Sequence, residues 1–189
     1  MSKGQTRPKV VYQGNIIRVE ETEKPDGRVF EKAVRSPGTR IIIHNKQTDK
    51  ILLSREYREE IKDYDFRLPG GKVRDKIADW DDIRDRGDLP ELIAEASKKE
   101  AREEVGVDVQ DIRLFTVSTS GGPTVEWTLY YFVTNTFELT GKQDLEPGEE
   151  ISTVWVSSQE AVDICLSGKM REGRSVAALL QYFHSENRI

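Results

Sequence analysis

The chain has 189 residues, 33% of them charged and 36% hydrophobic, with a net charge of −5. That balance suits one domain with a small appendage and excludes a disordered polymer; the acidic excess argues against nucleic acid as partner, because a phosphate backbone selects basic faces. The single cysteine, Cys165, excludes an intrachain disulfide, and no stretch nears the ~18 apolar residues of a membrane span, so a reducing cytoplasm is the expected compartment.

Met1-Ser2-Lys3-Gly4-Gln5 lacks the apolar run of a signal peptide, and residues 1–9 are expected to fray. Val10-Val11-Tyr12 and Ile16-Ile17-Arg18-Val19 read as strands around a Gly14-Asn15 turn. Pro25-Asp26-Gly27 then precedes a third strand from Val29 to Val34, which makes residues 10–36 a small antiparallel β unit. Residues 39–44 and 50–55 are strongly apolar strands about a polar turn. Phe66-Arg67-Leu68-Pro69 runs into a turn at Gly70-Gly71.

Residues 72–88 are charged and include Trp80 in a segment expected to pack as a surface helix rather than a substrate lid. A helix is expected from Pro90 to Val105, with Asp88 as its cap and Gly106 just past its end. Strands follow at 112–117, 128–133 and 151–156. Ser157-Ser158-Gln159-Glu160 is a capping box opening a helix to Leu166, and a last helix spans 175–183. Strands, one central helix, more strands, then helices is an α+β pattern rather than repeated βαβ units. Val162, Ile164 and Leu166 around Cys165 mark a core thiol. Trp127 reads as core, and His44 and His184 form no ligand pair.

The stretch Lys99-Glu100-Ala101-Arg102-Glu103-Glu104-Val105-Gly106-Val107 carries the chemistry. On a helix Glu100, Glu103 and Glu104 share one face, where like charges repel by roughly 0.2–0.5 kcal/mol per pair. Such a face is either plain solvated surface or a site for a compensating cation, and hard divalent ions take carboxylate oxygens.

This stretch resembles the box of the Nudix hydrolases, G-x5-E-x7-R-E-U-x-E-E-x-G-U, where U is bulky and apolar. Glu91 stands seven residues before Lys99, and residues 100–107 follow in step. Two departures stand out. Lys99 replaces the usual arginine, and 19 residues (72–90) separate Gly71 from Glu91 where the pattern has five. The resemblance implies a Nudix-type α/β/α sandwich with a mixed sheet over residues 38–189, interrupted by an insertion at 72–90. Residues 1–37 form the N-terminal β extension.

It further implies Mg²⁺, or Mn²⁺, held by Glu100, Glu103, Glu104 and the Gly70 carbonyl. Glu103, Glu104 and Glu150 are the implied catalytic carboxylates. Ser54-Arg55-Glu56-Tyr57-Arg58 with Phe66-Arg67-Leu68-Pro69-Gly70-Gly71 resembles the subgroup that hydrolyses ADP-ribose and nucleoside diphosphate sugars. In it Arg58, Arg67, Pro123 and Glu126 fall at substrate-binding positions, Gly148-Glu149-Glu150-Ile151 resembles an acidic loop, and the β extension implies a homodimer. Each accessory residue also has a plain reading, Arg58 as a surface charge pairing with Glu59 or Glu60 and Pro123 as a turn former. The implied activity is hydrolysis of the pyrophosphate bond to a nucleoside monophosphate and a sugar phosphate. The alternatives are a Nudix enzyme for another nucleotide (a dinucleoside polyphosphate, NADH or a damaged triphosphate) and a non-catalytic metabolite sensor.

Overall fold

The computed structural model describes residues 8–119 and 124–189; Pro123 lies outside them. Ten strands and four helices are formed among the described residues. β1 (Lys9–Gln13), β2 (Ile17–Glu23) and β3 (Val29–Arg35) form an antiparallel meander. The Gly14 N–H bonding to the Ile17 carbonyl closes the first turn, and Gly27 at φ 83° allows the second. A fourth strand, β8 (Val125–Glu126), joins this sheet parallel to β3. It comes from late in the chain, so the N-terminal unit is completed by a segment that local pattern does not attach to it.

The larger sheet has the order β10-β5-β4-β9-β7, with β6 also paired to β5. Its strands are β4 (Gly38–Asn45), β5 (Lys50–Arg58), β6 (Asp63–Arg67), β7 (Val107–Ser118), β9 (Leu129–Leu139) and β10 (Ile151–Ser157). β4 and β9 are parallel and the other pairs antiparallel, so the sheet is mixed. Both faces are covered, and β4 shows how. Ile41 and Ile43 point into a core with α2 (Leu89–Val105), while Ile42 points into a second core with α3 (Ser158–Leu166) and α4 (Gly173–Ser185). This is the α/β/α layering expected.

β7 and β9 run longer than the apolar segments suggested, because bulged register shifts carry the ladder through polar residues at 108–111 and 134–138. Asp88 precedes α2 but does not cap it: its carboxylate is bound by Arg86 instead, with Arg86 Nη2 2.6 Å away. The capping box of α3 is formed as expected, the Ser157 hydroxyl accepting from the Glu160 N–H. Cys165 is buried in the core, which pushes its thiol up to about 11.

The segment 72–88 is held on two sides. Val73, Ile83 and Trp80 of α1 (Ile77–Asp81) pack into the α2 core. The Ile77 N–H bonds to the Asn15 carbonyl, and Arg18 of β2 pairs with Asp81. The extra residues are therefore a packed wall joining the small sheet to α2.

Candidate active site

The box helix is aimed by glycines at both ends. Gly106 ends α2 at φ 64°, and a Cβ there would lie 2.8 Å from the Lys142 carbonyl oxygen. The next segment is pinned to the same helix end. The Asp144 N–H donates to the Glu103 carbonyl (2.9 Å), and Gln143 donates to the Glu104 carbonyl (2.5 Å). These bonds satisfy carbonyls that a helix end leaves without partners. They also bring the acidic loop at 144–149 beside Glu103.

At the other side, Gly70 and Gly71 turn the chain across β4. A Cβ on Gly70, whose φ is 140°, would sit 2.2 Å from the Thr39 carbonyl oxygen; one on Gly71 would sit 2.3 Å from Glu100 Oε1. Only glycines allow the turn to lie this close to β4 and to the helix carboxylates. The Gly70 N–H donates to Glu104 Oε2 (2.7 Å), fixing that carboxylate against the turn.

A cleft of about 570 Å³ opens between α2, residues 71–79 and the acidic loop. Glu100, Glu103 and Glu104 line it, joined by Asp144, Glu146 and Glu149 and by Lys72 and Arg74 of the inserted wall. Burial first, then neighbouring carboxylates, push the Glu100 carboxyl up to about 7 and that of Glu104 to about 8, against the opposing pull of Lys99 and Arg40 on the first and of the Gly70 N–H and Arg40 on the second. Glu103 is paired with Lys99 one turn back, Nζ to Oε2 2.7 Å. That is the position where the box has arginine, so here a single ammonium rather than a planar fork holds the glutamate.

The other expected residues divide. The Gly70 carbonyl accepts from Arg40 Nη1 (2.6 Å), leaving one lone pair for any other partner. Arg67 pairs with Glu56 (3.2 Å) and Asp65 (3.1 Å), and Arg58 with Glu56 and Glu60. Neither arginine lines the cleft. Glu126 is on β8, paired with Lys32. Of the adjacent acids, Glu149 lines the cleft, while Glu150 accepts a hydrogen bond from the Tyr64 hydroxyl.

Two contributors were not singled out by motif. Arg40 is buried beneath the turn, bonded to the Thr39 and Gly70 carbonyls, and its charge acts on both Glu100 and Glu104. An arginine in the run Thr39-Arg40-Ile41-Ile42-Ile43 is its visible signal. Asp144 and Glu146 stand in an acidic run before Pro147, readable only once Gln143 ties it to α2.

The NUDIX domain family model matches residues 34–178, which include the whole sheet-and-helix frame of this cleft. The chain belongs to the NUDIX domain family. As a hydrolase fold of that family it has relatives at low identity. A methanol dehydrogenase activator of Bacillus methanolicus and an ADP-ribose pyrophosphatase of Bacillus subtilis (strain 168) are each 21% identical over 173 residues. Each match covers 89% of this chain and 86% of the relative. The crystal structure of an ADP compounds hydrolase aligns over 100% of both chains with TM-score 0.68 at 20% identity, which supports a shared fold.

Proposed function

We propose that this Nudix hydrolase cleaves the pyrophosphate bond of ADP-ribose or a related nucleoside diphosphate sugar, giving a nucleoside monophosphate and a sugar phosphate. The observation that carries the reading is the pair Glu100 and Glu104, recessed against the Gly70-Gly71 turn at the base of one cleft with carboxyls raised to about 7 and 8. Two recessed carboxylates that repel each other are a poor use of a helix face unless a cation and a polyanionic substrate meet there.

The donor set fits Mg²⁺ or Mn²⁺ in type, being hard carboxylate oxygens. Among the described residues, no three acidic, histidine or cysteine side chains converge tightly enough to form a ready ligand cage. Glu100 and Glu104 would hold the ion, joined by Glu103 on release from Lys99. A divalent ion bound there supplies neutralisation of pyrophosphate oxygens and a more acidic water. The chain's own groups do the rest. Glu103 or Glu149 accepts the proton of the attacking water; a new bond forms to phosphorus, and the bond to the bridging oxygen breaks, leaving that oxygen on the departing phosphate. Lys72 and Arg74 offer charge to the phosphates from the inserted wall.

The small sheet supports assembly as a homodimer: Tyr12, Ile17 and Val29 are exposed on one face of it, a spread of apolar surface that a second copy would cover.

The test is product analysis with ADP-ribose, UDP-glucose, GDP-mannose, NADH and a dinucleoside polyphosphate, with Mg²⁺ and with EDTA. One AMP and one ribose phosphate per ADP-ribose, abolished by EDTA, is the expected result. Faster turnover of the polyphosphate, or turnover that Glu103→Gln and Glu104→Gln both retain, would overturn it. Binding without turnover of any compound would favour a metabolite sensor.

A further inference from the structure

The loop between α3 and α4 is docked along β6. The Phe66 N–H donates to the Lys169 carbonyl (3.1 Å), and the Arg171 N–H donates to Asp65 Oδ1 (2.9 Å). These bonds fix where the Lys169 and Arg171 side chains leave the backbone. On β5, Ile51 and Leu53 face the core shared with α3 and α4, while Leu52 faces the α2 core. Strand alternation therefore puts Arg55 on the α3–α4 side, away from the box carboxylates. There its guanidinium carbon lies 4.1 Å from the centroid of the Tyr64 ring.

A shallow hollow of about 300 Å³ lies between these segments, with Arg55, Asp63, Tyr64, Ser167, Lys169 and Arg171 in its lining. The lining holds three cations and one carboxylate, in a chain whose net charge is −5. That carboxylate, Asp63, pairs with Arg171 at 3.1 Å. Neither Arg55 nor Lys169 forms an ion pair with a described residue. A cation just past a helix end answers the helix dipole, so Lys169 after α3 has a local reason to be basic. That reason does not extend to Arg55, which a strand brings to the same hollow. Stacking on Tyr64 uses the face of its guanidinium and leaves the edge N–H groups to donate. A guanidinium edge and an ammonium, converging from separate segments without a counterion, match the oxygens of a phosphate group.

We propose that this hollow is a second anion site, one that takes a phosphate group, free or as a small phosphomonoester, on the face of the large sheet opposite the cleft. It is independent of the proposed reaction and needs neither metal nor turnover. The probes are inorganic phosphate and ribose phosphate, each titrated in EDTA at low ionic strength into isotope-labelled protein, with backbone amide shifts followed by NMR. The parent is compared with Arg55→Gln, Lys169→Ala and Asp63→Asn, with melting curves beside each. In the parent, the amides of Phe66, Gly168 and Lys169 are expected to shift and saturate. Arg55→Gln and Lys169→Ala should each weaken binding by about fivefold or more, the loss of a charge-assisted contact in an open site. Asp63→Asn should tighten it, because it removes the carboxylate from the lining. Shifts confined to the cleft at Gly71 and Glu100, no saturation, or parent-like affinity in both cation variants would overturn the site. If Arg55→Gln melts early, Lys169→Ala decides, and parent-like affinity in it counts against the proposal. Tighter binding of ribose phosphate than of inorganic phosphate assigns the site to a monoester; the reverse assigns it to the free ion.

Discussion

Gly71 and Glu100 are in contact at the base of the cleft: the missing Cβ of the glycine is the space that the glutamate carboxylate fills, with 2.3 Å between that Cβ position and Oε1. The same turn has Gly70 against the backbone of Thr39 and Arg40. The two glycines are therefore required for different reasons, and mutation separates them. Gly71→Ala should displace only the end of a flexible side chain. It is expected to fold, to melt within a few degrees of the parent, and to lose turnover by about 100-fold, in line with misplacement of a metal-binding group. Gly70→Ala meets backbone at a φ of 140° and should lose roughly 3 kcal/mol or more in urea denaturation. Equal melting of the two variants would refute the distinction.

The raised carboxyls of Glu100 and Glu104 set a pH dependence with a definite sign. A carboxyl whose folded pKa lies near 8 keeps its proton in the fold at pH values where the unfolded chain, with its ordinary value of 4.5, has released it. Between those values the fold binds more protons, so metal-free stability falls as pH rises, by up to roughly 1.4 kcal/mol per pH unit for each such group. Glu104→Gln removes one of them. In EDTA its melting temperature should match the parent near pH 4.5 and exceed it near pH 8.5. Parallel curves across that range would contradict the burial of Glu104. Added Mg²⁺ should narrow the gap from the parent's side, because the ion favours the ionised carboxylates.

Glu149 and Glu150 are neighbours with different surroundings, one in the cleft and one on Tyr64. Glu149→Gln is predicted to lower kcat by about 100-fold or more if it takes the water's proton, while Glu150→Gln lowers it by less than about tenfold. Steady-state kinetics of both variants at one saturating Mg²⁺ concentration checks this. The reverse order would transfer the role to Glu150.

Trp80 tests the inserted wall. Its side chain is buried among Val73, Ile83 and Ile93. Trp80→Ala should cost about 3–5 kcal/mol in denaturant unfolding, the range for emptying a large aromatic from a core. A loose surface lid would lose under 0.5 kcal/mol.

The box helix could be read directly, because its chemistry is local. Spacing of 3.6 residues per turn places Glu100, Glu103 and Glu104 on one face whatever surrounds them. Gly106 ends the helix for a reason internal to the backbone, and Ser157 with Glu160 opens α3 the same way. Asp88 stands at the cap position without capping through its side chain, because Arg86 competes for the same carboxylate, which a local pattern does not show. The resemblance implies substrate-binding positions for Arg58, Arg67 and Glu126, and the structure pairs them with Glu56, Glu60, Asp65 and Lys32.

For the stretch from Lys99 to Val107, sequence alone determined the carboxylate face and the helix end, which follow from short-range periodicity and turn chemistry, and the family resemblance, which follows from the spacing of the box residues. Only the tertiary structure decided which groups meet that face. Gly71 sits on Glu100, Arg40 charges the floor beneath Glu104, and Glu149 reaches the cleft where Glu150 does not. These are contacts between segments far apart in the chain. They depend on how β4 crosses the glycine turn and how the acidic loop ties to the end of α2, relations that no local pattern encodes.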